Sequence, residues 1–290
     1  LVNIQLLSGT DTFFNVVQFA SFLLILIIGT LIFKELNVSY KGQLLLVFAL
    51  MSLPMMIFQS TTTQTDLLAS LFFLAFIYFA LLIYKRIDGY KLNIIYLILS
   101  LALGTLTKYH IAIFAFPICL YLVYFILSEK KVKDIYFTIP IGILIFSVIL
   151  LPLFARNIYF FGSVTGKEVF AENATIVNSA LNIRNMLSND LKHLIDFISL
   201  PIDFYNKMLF SINHSIHSLI GISEDAAGNN WAGEPFIVNN HLTEDTAGSL
   251  IHALWIAIPL FFIYKMKNKI INFDSIFILL RYKKCYFTTF

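Results

Sequence analysis

The sequence predicts an all-α fold, a polytopic transmembrane helical bundle that carries one long outer loop of short amphipathic helices. Three observations predict it. The chain has 290 residues, 59% of them hydrophobic and only 13% charged, whereas soluble domains carry roughly 25% charged residues. Its apolar residues fall in long runs separated by short polar turns. Its lysines and arginines gather in alternate turns.

The elements follow in chain order. Apolar runs occupy 13–33, 44–58, 67–84, 92–107, 111–127 and 135–155. A helical crossing takes about 20 such residues, with a working range of about 17–25. The shorter runs therefore borrow flanking Ser, Thr and Gln to span. Another run covers 250–264 and a weaker one 270–280, which brings the expected total to about eight crossings or near-crossings. Residues 1–155 thus form a region of about six helices, 156–249 a loop region and 250–290 the C-terminal segments. The chain opens at Leu1 without a Met, a basic leader or a cleavage site, so it is expected to be a fragment of a longer protein.

Charge placement orients the bundle. Eleven of the twenty basic residues lie in four turns on one side: Lys34, Lys41, Lys85, Arg86, Lys91, Lys130, Lys131, Lys133, Lys265, Lys267 and Lys269. Excess Lys/Arg in short loops marks the cytoplasmic face. The opposite side takes Asp11, 59–66, 108–110 and the long segment 156–249, in which acidic residues outnumber basic ones. The long loop is expected to face outward. Within it, Leu191, Leu194, Ile195 and Ile198 recur at helical spacing, which predicts short helices lying at the membrane surface. Residues 221–240 read as irregular. Glu224-Asp-Ala-Ala-Gly and Glu244-Asp-Thr-Ala-Gly echo each other, but two copies make no repeat protein.

The same composition sets other chemistries aside. No basic arm or zinc-finger spacing supports nucleic-acid binding. Cys119 and Cys285 imply neither a disulfide framework nor a metal knuckle. The glycines at 162 and 166 lack the Gly-Lys-Ser/Thr of a nucleotide-binding loop. No cofactor is expected, and a divalent metal has no support beyond single acidic residues.

Polar residues at membrane depth are costly and so invite a functional reading. Gln59-Ser-Thr-Thr-Thr-Gln-Thr-Asp66 joins two runs without a basic residue. The plain reading makes Ser60 or a neighbouring Thr an N-cap, with Asp66 favoured by the helix dipole. The sharper one makes this stretch the rim of a substrate cavity, with Asp66 binding a sugar or a metal. Lys108 and His110 sit in an outer turn, against the charge bias. Lipid headgroups or a carboxylate of the long loop would satisfy Lys108; alternatively, both residues contact a substrate phosphate. Arg156-Asn157 follows Pro152 at a helix exit, where Arg is either an interface anchor or a second phosphate contact. His214 and His217 share a helical face and read as surface histidines, since two His make an incomplete metal site. His241, Glu244 and Asp245 precede the run at 250–264 and His252 lies at its start; they suit a polar rim, or an acid/base or ligand set.

In this order, these stretches resemble the bacterial membrane glycosyltransferases of superclass C near family 39. The stretches that carry the resemblance are 6–22, 54–71 with its Gln-Ser-Thr-Thr-Thr-Gln-Thr-Asp, Gly104-Thr-Leu-Thr-Lys-Tyr-His, Arg156-Asn-Ile-Tyr-Phe-Phe-Gly-Ser and His241-Leu-Thr-Glu-Asp-Thr-Ala-Gly. That group includes protein mannosyltransferases and enzymes that transfer aminoarabinose or galacturonic acid from polyprenyl-phosphate donors. The resemblance implies an outward-facing cavity for the lipid donor in a bacterial inner membrane, and inverting transfer to a glycan, lipid or protein acceptor. It suggests Lys108 and Arg156 as phosphate contacts. The family's acidic base follows an earlier helix that nothing in this chain matches, so the catalytic residue stays unassigned. Asp66, His110, Asn157, Glu244, Asp245 and His252 complete the candidate substrate-binding set. A transporter or flippase of lipid-linked sugars, or a surface-polysaccharide polymerase or ligase, are the competing expectations.

Overall fold

The structure is a computed structural model. It describes residues 9, 13, 15–85, 89–128, 132–164, 183–225, 235–238, 248–250 and 252–255, with 132–135 as backbone alone. Among these residues there are helices and no strands. We number the helices in order: α1 Val16–Glu35, α2 Tyr40–Met51, α3 Pro54–Ser60, α4 Asp66–Lys85, α5 Tyr90–Thr107, α6 His110–Ser128, α7 Val132–Phe161, α8 Ile183–Phe197 and α9 Asp203–Ile220. Five of them, α1 and α4–α7, are long and apolar enough to cross a membrane. The runs at 250–264 and 270–280 lie largely or wholly outside the described residues.

The run expected at 44–58 is not one straight helix. It divides into α2 and α3, bent by 65°. The cause is Pro54, which brings no N–H and disfavours a helical residue before it. Leu53 N–H turns back to Leu50 O at 3.2 Å. Glycine and proline elsewhere leave the helices whole. α5 runs straight through Gly104, and α6 through Pro117. The last span continues past the expected 155 to Phe161, with Pro140 and Pro152 both inside it.

α4 and α5 form the centre. Phe76, Ala80 and Ile83 of α4 pack on Ile94, Leu97 and Ile98 of α5 and on Ala115 and Leu122 of α6. Phe137, Ile141 and Ile145 of α7 close over this cluster. On the other flank, Phe22 and Ile25 of α1 meet Leu67 and Leu71 of α4. Small residues let the backbones approach, as membrane helix pairs require. A Cβ on Gly104 would come 2.8 Å from Ile111 Cγ2 and 3.3 Å from Phe72 Cβ. Gly104 therefore sets the spacing of α4, α5 and α6 one turn before Lys108.

Polar contacts fix which helix ends lie together. Lys85 at the end of α4 bonds Glu35 at the end of α1, at 3.4 Å. Lys91 at the start of α5 lies 5.6 Å over the ring of Phe137, near the start of α7. Opposite these, Lys108 after α5 pairs with Asp66 at the start of α4. One end of the bundle thus carries Lys34, Lys41, Lys85 and Lys91, and the other carries 59–66, 107–110 and the end of α7. Cysteines placed at Lys41 and at Thr63 should react with an impermeant maleimide from opposite membrane faces. Reaction from one face would break this arrangement.

Candidate functional site

The site is built at the end of the bundle away from the lysine-rich turns. α4 begins at Asp66, so its carboxylate sits where four backbone N–H groups lack helical partners and the dipole favours negative charge. α5 ends at Thr107, with Lys108 N–H closing on Gly104 O at 2.8 Å. The ammonium therefore stands at a helix C-terminus, the favourable end for a cation. Lys108 Nζ donates to Asp66 Oδ1. The carboxylate that pairs with this lysine thus comes from the start of α4, not from the long loop that the sequence suggested. The antiparallel packing of α4 and α5, with the close approach at Gly104, brings the two side chains together. The two side chains keep 38% and 34% of their surface exposed, so the pair adds only about 0.2–1 kcal/mol of coupling. Its consequence is placement more than stability.

A residue that sequence reasoning passed over holds this end in place. Gln18 of α1 is buried, and its Oε1 accepts from Leu68 N–H at 3.1 Å. It thereby satisfies one of the free donors at the start of α4, directly behind Asp66. A single glutamine inside the run at 13–33 was the available signal. Of the two N-caps expected for α4, Ser60 is not at that position; the neighbouring Thr65 is, its carbonyl accepting Ala69 N–H at 2.9 Å. The Ser60 hydroxyl donates to Ile57 O at 2.7 Å and so belongs to the end of α3.

Arg156 and Asn157 sit in the last turns of α7 rather than after a helix exit, because Pro152 leaves the helix unbroken. Arg156 Nη2 donates to Asn157 Oδ1 at 3.2 Å, and buried Asn157 donates from Nδ2 to Val164 O at 3.0 Å. The amide thus pins the turn at Gly162 and leaves the guanidinium exposed. His110 is exposed at the first position of α6. Five of the candidates therefore share one end of the bundle: Asp66, Lys108, His110, Arg156 and Asn157. Among the described residues, no hydrogen bond or ion pair joins the Arg156 pair to the Asp66 pair. Glu244, Asp245 and His241 lie outside the described residues.

His252 is buried and stitched to the bend between α2 and α3. Its Nε2–H faces Ala49 O at 3.0 Å and Ser52 Oγ at 3.1 Å, while Ser249 donates its hydroxyl to Nδ1. With Leu53 N–H turned to Leu50, Ala49 O has lost its helical donor. His252 replaces it, together with the Ser52 hydroxyl at 2.9 Å. Just beside it, Ser249 N–H donates to Phe197 O at 2.7 Å, tying the end of α8 to the same place. A Cβ on Gly248 would lie 2.6 Å from Asp196 O.

Among the described residues the long loop holds the helices α8 and α9, as its periodicity predicted. His214 is exposed and bonds Glu224 Oε1 at 2.9 Å. His217 is not the surface residue expected. It is buried, donating from Nδ1 to Asn213 O and accepting the Ser188 hydroxyl on Nε2, both at 2.9 Å. Its helical face turns toward α8, where Lys192 is also buried. Burial lowers the Lys192 pKa, against the opposing pull of Asp225 and Glu224. No group of three or more potential metal ligands forms among the described residues.

Against known proteins, residues 6–155 match the family model of dolichyl-phosphate-mannose-protein mannosyltransferases. The match spans more than half of the 290 residues. The chain belongs to that family. It is a membrane glycosyltransferase of the C superclass, and the matched stretch contains Gln18, Asp66, Lys108 and His110. No curated protein and no solved structure matches the chain.

Burial pushes the Asp196 carboxyl up from 3.8 to about 6. The folded state therefore holds its proton more tightly than the unfolded chain, and stability falls as pH rises from about 4 through 6. Asp196→Asn should stabilise the fold at pH 7.5, by an amount on the order of 1 kcal/mol after solvent screening, and change stability little at pH 4, as followed by thermal unfolding. An equal effect at both pH values would contradict the burial account.

Proposed function

We propose that this glycosyltransferase takes its sugar from a polyprenyl-phosphate-linked donor and passes it to an acceptor on the outer face of the bacterial inner membrane. The observation that carries this reading is the Asp66–Lys108 pair: a half-exposed carboxylate and ammonium at the bundle end opposite the lysine-rich turns, inside the family-matched stretch. Lysine excess in the turns at Lys34, Lys41, Lys85 and Lys91 favours the lysine-rich end as cytoplasmic, and hence the Asp66–Lys108 end as outward.

The chemistry is substitution at the anomeric carbon. The acceptor oxygen forms its bond to that carbon, the bond from carbon to phosphate oxygen breaks, and the phosphate leaves with the electron pair. The acceptor proton passes to a carboxylate, which this reading leaves unassigned. The charge that develops is on the leaving phosphate, so fixed cations are the groups that matter most. An ammonium has three N–H donors, and the bond to Asp66 leaves two of them for phosphate oxygens. Asp66 holds Lys108 at the rim while no donor is bound. Arg156, exposed at the same end, offers a planar fork suited to a second phosphate edge. His110, Asn157, Glu244, Asp245 and His252 form the wider candidate substrate set, and no step is routed through a metal.

The bend between α2 and α3 favours the competing reading, a transporter of lipid-linked sugars, because broken helices line many transport pathways. Bond cleavage separates the two. Protein reconstituted with a labelled polyprenyl-phosphate sugar should transfer the label, and Lys108→Ala and Arg156→Ala should each slow transfer by about 10²-fold. Wild-type rates in both variants would remove the phosphate clamp. Lipid movement across the bilayer without cleavage would favour transport.

A further inference from the structure

The rim between α3 and α4 carries five hydroxyl side chains, and the structure divides them. Ser60 donates to Ile57 O at 2.7 Å and Thr61 to Phe58 O at 2.8 Å. Thr62 donates to Gln59 O at 3.2 Å and accepts Gln64 N–H at 3.4 Å. These three are engaged at the end of α3. Thr63 and Thr65 are exposed, and among the described residues their hydroxyls bond nothing.

Thr65 is the informative one, because it is the N-cap of α4. A threonine there ordinarily turns its hydroxyl to the N–H of the second or third helical residue. The third is Leu68, and Gln18 Oε1 already holds that N–H at 3.1 Å. α1 thus caps α4 from outside, and the Thr65 hydroxyl is released to the rim. Asp66, next in the chain, uses Oδ1 for Lys108, and its Oδ2 takes no hydrogen bond among the described residues. Gln18 is 2% exposed and its Nε2 has no partner, so an amide donor stands open at the same helix end. Such a donor left bare in the interior is costly, and a bound water or ligand completes it.

We infer that the Thr65 hydroxyl holds a hydroxyl group of the donor's sugar, and that Gln18 is the positioning residue that frees it to do so. This rests on the donor reading under the proposed function and adds where the sugar lies. The groups at this point fit a polyol better than a phosphate. A hydroxyl both donates and accepts. It meets here a carboxylate oxygen that accepts, a threonine that does either and an amide that donates. A phosphate oxygen without its proton only accepts, and the Asp66 carboxylate repels its charge. The sugar therefore lies at the start of α4 while its phosphate lies on Lys108.

The test measures binding to the full chain in phosphatidylcholine vesicles. The probes are bare polyprenyl phosphate and the same lipid carrying mannose, aminoarabinose or galacturonic acid. Wild type should bind one glycosylated lipid more tightly than the bare one. Thr65→Val keeps the shape and loses the hydroxyl. It should weaken binding of that glycosylated lipid by about 5–10-fold and leave the bare lipid unchanged, and Thr65→Ser should restore the affinity. Thermal unfolding reads the role of Gln18. Thr65→Val should leave the midpoint in place in wild type and lower it in a Gln18→Met background, where the hydroxyl turns back to Leu68. Unchanged affinity for the glycosylated lipid in Thr65→Val would overturn the inference alone. So would an equal loss for both lipids, which moves the contact to the phosphate, or a lowered midpoint in wild type, which returns the hydroxyl to capping. A wild-type chain that binds none of the lipids removes the donor reading, and the inference with it.

Discussion

In hydrocarbon there is no water to complete a hydrogen bond, so a backbone polar group at membrane depth must find its partner within the chain. Two contacts meet that demand here, a third joins the same bundle at its boundary, and the rest of the arrangement follows from them. Gln18 gives its carbonyl to a free N–H at the start of α4. His252 gives its ring N–H to the carbonyl that Pro54 leaves open in the broken span. Lys108 gives its ammonium to Asp66. Each joins residues at least 42 positions apart. The first and third lie behind and in front of the same helix end, so the N-terminus of α4 is the best-fixed polar point in the bundle.

That fixity explains why a weak ion pair can matter. Half exposed, it stabilises the fold only slightly. Yet the dipoles of α4 and α5 favour its two charges separately, and the close approach at Gly104 brings them together. The outcome is a carboxylate and an ammonium held at the membrane boundary without full desolvation. In the proposed function, such a group exchanges partners when the donor phosphate arrives. The turn pinned by Asn157 places the exposed Arg156 at the same end by independent means.

Much of the bundle was legible because lipid imposes a simple code. Long apolar runs mark spans, and alternate lysine-rich turns mark one end. Asp66 and Lys108 were each visible as polar residues out of place, but their pairing was not, since nothing in the sequence states which helices pack. The bend at Pro54 and the buried Gln18 each leave a signal in the sequence, a proline and an amide inside apolar runs. His217 misled for a physical reason. A histidine on an amphipathic helix reads as a surface group when the apolar stripe is assumed to face the protein, and here the stripe faces away. Arg156 was placed outside its helix because Pro152 looked like a stop, and the flanking spans let the helix continue.

The account stands on the ends of α4 and α5 meeting on the side away from Lys85. Cross-linking tests this most directly. In a chain cleared of Cys119 and Cys285, cysteines at positions 66 and 108 should be joined by a short bifunctional thiol reagent in native membranes, and cysteines at 85 and 108 should not. A bridge between 85 and 108, with none between 66 and 108, would contradict it.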